Sequence, residues 1–275
     1  MRSSAALAFC VLCAYGAPDP RTLIERSLQR DQRDEELARQ YAYLETSSEQ
    51  EWKNGKRTKL EKETHEILSL YGQPHRRLVA RDGKPLSTEE QQKEQRKMDK
   101  LAAERARETP AERERRLAKY ASDRRRQREF LKEIPKAFAF QLAGETKLAG
   151  RTAWMIDATP IPNYQPQDSR AKMLSRFKGR FYVAQDDATL LKLEAEAIDT
   201  VSFGLVLARL ERGARFTLEK THVNNELWMP SRIKVDFDAR LALLKKLKVD
   251  LQVEYSDFRK FQSDSKVLAV VPLEN

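Results

Sequence analysis

Lys248-Val249-Asp250-Leu251-Gln252-Val253-Glu254-Tyr255 alternates polar and apolar side chains without a break. In an extended chain successive side chains point to opposite faces, so this stretch is a strand with one dry and one wet side. The pattern repeats upstream. Ile233, Val235, Phe237 and Ala239 alternate, as do Leu191, Leu193, Ala195 and Ala197 against Lys192, Glu194 and Glu196. Phe216 and Leu218 form a shorter run, and Trp154, Ile156 and Ala158 follow Phe138, Phe140 and Leu142 across an Ala149-Gly150 turn. From about Phe138 to Val271 the chain therefore reads as an antiparallel sheet, with no strand–helix–strand repetition.

Upstream of this sheet lie two zones of different composition. From Pro20 to about Ser87, a short helix opens with Asp19 as N-cap and Pro20 in its first turn, presenting Leu23, Ile24 and Leu28. Strand-like runs over 41–52 and 58–70 flank Asn54-Gly55, a hairpin signal, and a short strand, Leu78-Val79-Ala80, lies between two further turns. The second zone, about 87–136, is charged helix. Ser87-Thr88-Glu89-Glu90 and Thr109-Pro110-Ala111-Glu112 both fit a capping box, predicting helices over 88–108 and 110–133, the second stopped by Pro135. Between Arg81 and Lys136 stand 18 basic and 12 acidic residues, so six of the ten excess positive charges of the 275-residue chain lie there. Such helices dock by one thin apolar stripe.

The first residues read as an export signal. Arg2 precedes the apolar run Ala5-Ala6-Leu7-Ala8-Phe9-Cys10-Val11-Leu12-Cys13-Ala14, which is too short to span a bilayer, and small residues at Ala14 and Gly16 place cleavage after Gly16. Both cysteines, Cys10 and Cys13, fall inside it, so the mature chain is expected to hold no disulfide, thiolate metal site or cysteine nucleophile. Phe9 and Leu12 precede them where lipidation needs a small residue. The expected location is the periplasm.

Catalytic signatures are absent from the sequence. There is no G-x-S-x-G, H-E-x-x-H, phosphate-binding loop or G-x-G-x-x-G, and His65, His75 and His222 lack an i, i+4 partner. Asp186-Asp187 reads as a hairpin turn. The chain is accordingly expected to be no enzyme and to use no cofactor or metal; an enzyme with a site dispersed along the chain, marked by His75 or His222, is the least favoured reading. The basic residues Arg113, Arg116, Arg124, Arg125 and Arg128 are interspersed with acids and lack an aromatic platform, so they suit an anionic membrane surface or a partner better than nucleic acid. Two denser apolar patches, Phe203/Leu205/Val206/Leu207 and Leu241/Leu243/Leu244/Leu247, read as sheet core or as cavity wall.

A long sheet needs its apolar face covered, yet the helices available are one short helix and two charged ones. This predicts an α+β fold: a curved, half-open antiparallel sheet with helices over its concave face and a charged two-helix insertion. The segments His65-Glu66-Ile67, Tyr71-Gly72-Gln73-Pro74-His75-Arg76-Arg77-Leu78-Val79-Ala80-Arg81-Asp82-Gly83-Lys84-Pro85-Leu86-Ser87, Gly179-Arg180-Phe181-Tyr182-Val183, Glu194-Ala195-Glu196 and Trp228-Met229-Pro230-Ser231-Arg232 resemble the periplasmic outer-membrane lipoprotein-sorting (LolA/RseB-like) superfamily. That resemblance implies one domain over 17–275 and a concave apolar cavity that accepts acyl chains of lipid or of acylated protein. If the larger side chains of each strand point inward, the lining is Phe138, Phe140, Trp154, Ile156, Leu191, Leu193, Phe216, Leu218, Phe237, Val253 and Tyr255. The alternative on the same fold is an envelope interaction or regulatory module with no bound lipid, docking a protein through the charged helices.

Overall fold

The computed structural model describes residues 18–53, 55–203, 208–241 and 245–261; side chains at 202–209 and 239–246 also lie outside the description. The expected signal over 1–16 with Cys10 and Cys13, Asn54 of the hairpin signal, and the apolar patches at Leu205–Leu207 and Leu243–Leu244 with the side chains of Phe203 and Leu241, fall outside the described residues.

Helix α1 (Pro20–Leu37) leads into a short 3-10 turn and the hairpin β1 (Tyr41–Lys53) and β2 (Lys56–Leu70). Next come β3 (Gln73–Arg81), the two-residue β4 (Lys84–Pro85), helices α2 (Thr88–Ala106), α3 (Pro110–Leu131) and the short α4 (Ile134–Ala137). Strands β5 (Phe138–Leu148) and β6 (Arg151–Pro160) follow, then a 3-10 helix at Ser169–Arg176, β7 (Phe177–Ala184) and β8 (Leu190–Ala197). The chain ends on β9 (Val201–Phe203), β10 (Ala208–Leu210), β11 (Arg215–Val223), β12 (Leu227–Leu241) and β13 (Lys245–Lys260). The strands form one antiparallel sheet in the order β4-β3-β2-β1-β13-β12-β11-β8-β7-β6-β5, with β9 and β10 attached beside β12. Its two ends do not meet, so it is a curved half-barrel. The first strand pairs with the last, Ser47 opposite Val253, which joins the β1–β2 hairpin to the rest of the sheet.

The register carries the alternation across seven strands. Leu142, Ile156, Phe181, Leu193, Leu218, Ile233 and Val253 stand directly opposite one another in sequence from β5 to β13. The next row is Phe140, Ala158, Gly179, Ala195, Phe216, Val235 and Leu251. The apolar rows stop at the β1–β2 hairpin, where Ser47 and Glu49 continue them. The opposite face is ionic: Lys192 reaches Glu194 and Glu219, and Arg232 reaches Glu219 and Glu254.

Helix α1 lies on the apolar face, where buried Leu23 and Ile24 join Phe138, Ile156, Phe181, Val183 and Leu190 in the main core. Asp19 caps it by accepting from the Thr22 backbone N–H at 2.9 Å. At 18 residues α1 outruns the short helix its apolar residues predict. Its second half is polar and is held by partners far away in sequence: Arg30 to Asp187 at 3.1 Å, Asp31 to Lys220 at 2.6 Å and Glu35 to Arg124 at 2.7 Å. Long-range ion pairs leave no periodic trace in a sequence.

Both expected capping boxes are present, Ser87 with Glu90 and Thr109 with Glu112, and α2 and α3 keep to their predicted boundaries within two residues. Neither helix buries a single residue. Pro135 does not stop α3, which ends at Leu131; it sits in the first turn of α4, where its missing N–H costs nothing.

Candidate functional site

A cavity of about 680 Å³ opens between α1, the C-terminal half of α3, α4 and the start of β12. The apolar part of its lining is Leu28 and Ala38 from α1 and its following turn, Leu131 and Pro135 from the α3–α4 side, and Tyr43, Trp228, Met229 and Pro230 from the sheet; more than half of the lining residues are charged or glutamine. Each wall has a local cause. Leu28 is one turn past buried Ile24 on the same helix face. Pro230 lies in β12 where the register against β11 slips between Glu219 and Lys220, a bulge that tolerates a residue without an N–H. Trp228 is fixed on three sides. His222 stacks on its ring at 5.0 Å, the Arg151 guanidinium lies 5.4 Å from the ring centre, and its backbone N–H donates to Asp34 at 3.2 Å.

The floor is polar. Lys220 from β11 donates to Asp31 at 2.6 Å, with the lysine side chain only 7% exposed. Burial pushes the Asp31 carboxyl above its ordinary pKa, although Lys220 pulls the other way, and burial also raises Asp34. Tyr43 and Tyr255 meet edge-on at 5.9 Å; burial, helped by Glu45, raises both phenols, Tyr255 to about 12. Among the described residues no group of three or more His, Cys, Asp and Glu could hold a metal ion. The histidines stand apart: His65 beside Glu63, His75 with a buried Nε2 that finds no hydrogen-bond partner among the described residues, and His222 on Trp228. Burial, with a nearby arginine, lowers the pKa of both His65 and His75.

The eleven residues expected as lining divide into three groups, and none lines this cavity. Phe138 and Ile156 are sealed in the main core beneath α1, with Phe140, Trp154, Leu193 and Leu218 packed against them. Phe216, Phe237, Val253 and Tyr255 are half-buried farther along the same face. Leu191 packs in a separate cluster with Ala153, Ala184 and Trp228. The cause is a bulge: Tyr182 pairs with Lys192 but Val183 with Leu190, leaving Leu191 unpaired and out of phase with Leu193. The cavity was missed because its walls come from two polar helices and a Trp-Met-Pro run that does not alternate.

The five basic residues also separate. Arg116 makes a two-pronged pair with Glu108, at 2.7 and 2.9 Å, and donates to the Tyr71 carbonyl, tying α3 to the β2–β3 turn. That pair lowers the Glu108 pKa. Arg124 holds Glu35 of α1 and lies over Tyr120. Arg128 lines the cavity, and Arg113 and Arg125 are exposed. Among the described residues no helix is long and apolar enough to cross a membrane.

No family model matches the chain, and no curated protein does. Solved structures align over most of the chain, at low identity and low TM-score. A putative outer membrane lipoprotein-sorting protein domain from Vibrio parahaemolyticus is 11% identical over 88% of this chain and 95% of that one, with a TM-score of 0.34. A LolA superfamily protein from Nitrosomonas europaea is 13% identical over 90% and 95%, at 0.28. The Pseudomonas aeruginosa MucA/MucB complex gives 12% over 90% and 100%, at 0.22. These values assign no function. What the structure itself shows is an open antiparallel sheet with helix α1 on its apolar face.

Proposed function

We propose that this chain is an exported, periplasmic, non-enzymatic protein that holds an acyl chain of a lipid or of an acylated protein in the cavity between α1, α3 and the sheet. The observation that carries this reading is the cavity itself. Its volume of about 680 Å³ lies within the range of ligand sites, and most of the surface it presents is apolar although charged residues frame it. Burial against Leu28, Leu131, Pro135, Met229 and Trp228 supplies affinity at roughly 25 cal/mol per Å² of apolar surface, opposed by the cost of ordering a flexible chain. Tyr43 leads from the cavity to Tyr255, Val253, Phe237 and Phe216, the half-buried part of the inner face, along which a longer chain continues.

Entry needs a wall that moves. Helix α3 fits, because it buries no residue and its body is held by polar ties at Arg116, at Arg124 and at the Arg126 carbonyl, which accepts from Arg170 at 2.8 Å, while Phe130 and Leu131 at its C-terminal end pack against the main core. The exposed Arg113 and Arg125 are available to an anionic membrane surface during transfer. Native mass spectrometry with organic extraction tests the reading. Co-purifying lipid or acylated peptide, lost in Leu28→Glu and Leu131→Glu variants whose circular dichroism is unchanged, is the expected result. A clean apo mass with no uptake of added lipid overturns it and turns the search to a protein partner.

A further inference from the structure

The two helical walls of the cavity carry opposite charge. All four lining carboxylates, Glu25, Asp31, Asp34 and Glu35, come from α1, whereas Arg128, Lys132 and Lys136 come from α3 and the start of α4. Most of these charges are already committed. Asp31 is paired with Lys220, Glu35 with Arg124, and Asp34 accepts the Trp228 N–H. Lys132 and Lys136 are tied along their own chain segment to Glu129 and Glu133, at 2.8 and 3.2 Å. Two charges remain without an ion-pair partner among the described residues: Glu25, exposed on the α1 side, and Arg128, half-buried on the α3 side.

We infer that the cavity selects amphiphiles whose head group carries both charges, the cationic part facing Glu25 and the anionic part facing Arg128, with the acyl chain inside. This rests on the acyl-binding reading and adds the head-group class to it. A purely anionic head would meet Arg128 but also face the carboxylate of Glu25. A purely cationic head would meet the reverse. A zwitterion satisfies both, and the planar guanidinium of Arg128 matches the paired oxygens of a phosphate or carboxylate.

The test uses four C12 amphiphiles with one tail, each below its micelle concentration: dodecylphosphocholine, dodecanoate, dodecyltrimethylammonium and dodecanol. Calorimetry gives affinities and native mass spectrometry the stoichiometry, with free phosphocholine as a competitor lacking the tail. The expected result is an advantage of about fivefold for dodecylphosphocholine over either singly charged head, the factor of an ion pair near a protein surface. Arg128→Gln should erase the advantage over dodecyltrimethylammonium, and Glu25→Gln the advantage over dodecanoate. Both losses are read relative to dodecanol in the same variant, and Lys119→Gln, exposed on α3 outside the cavity, should alter nothing. Equal affinity for all charged heads, displacement by phosphocholine alone, or an equal loss of dodecanol in the Glu25 and Arg128 variants would overturn the inference and leave acyl binding standing. Failure of dodecanol itself to bind the unaltered protein would instead remove the acyl reading, and this one with it.

Discussion

Replacing Lys220 by Met should damage this protein far more than replacing Lys220 and Asp31 together. The two groups are 2.6 Å apart, with side chains 7% and 21% exposed. At an effective dielectric of about 20, their attraction is roughly 6 kcal/mol. Withdrawing two ions from water costs several kcal/mol each, so the pair as a unit contributes little net stability. Breaking it is different, because Lys220→Met strands a buried carboxylate and should cost about 3–5 kcal/mol at pH 7. The double variant Asp31→Leu/Lys220→Met should lie within about 1 kcal/mol of the unaltered protein, or above it. The pH dependence is an internal check. Asp31 already has a raised pKa in the folded state through burial, and losing Lys220 raises it further. A raised carboxylate makes the fold more stable as pH falls through its folded value, and that gain is lost again as pH rises. Urea unfolding followed by tryptophan fluorescence at pH 7 and pH 5 should therefore show the Lys220→Met deficit shrinking at the lower pH, with the double variant showing no such recovery. A single-variant cost under about 1 kcal/mol, or a double variant as unstable as the single, would refute the assignment of a buried, mutually dependent pair.

Two further substitutions probe how the helices are seated. Gly72 has φ +80°, and an added Cβ would lie 2.9 Å from Leu117 Cδ2, so Gly72→Ala should cost about 1 kcal/mol or more and speed hydrogen exchange in α3 above all. Tyr164 donates to buried Glu133 at 2.5 Å, and this bond is the main reason that carboxyl sits below its ordinary pKa. Tyr164→Phe should lower stability by about 1 kcal/mol at neutral pH in chemical denaturation. A lowered carboxylate contributes stability above its unfolded pKa and loses it as pH falls through the folded one, so the deficit should fade in acid.

The strands were legible because burial on one side writes itself directly into the sequence. Val249, Leu251, Val253 and Tyr255 alternate since β13 is wet on one face, and their opposite numbers on β12 alternate for the same reason. Strand order was not legible. Nothing local to Ser47 or Val253 says that they face each other across the chain's whole length, because backbone pairing is chemically the same for any two extended segments. Leu191 shows a finer limit: one unpaired residue at a bulge rotates a side chain out of its row, and the one-letter pattern is identical with or without it.

The cavity escapes the sequence for a deeper reason. The broad apolar surface of β5–β8 was the obvious place for a ligand, but it is the surface that α1 needs for its own burial through Leu23 and Ile24. A helix with few apolar residues can cover only what that stripe reaches. Between Leu28 and Leu37 α1 is polar and is held by paired charges, so the space beneath that stretch stays open. Helix α3 meets the same constraint, with Leu131 reaching inward and charged side chains on either side. The opening therefore sits where two charge-rich helices converge over the end of the sheet, and its charged rim follows from the polarity that kept it from closing.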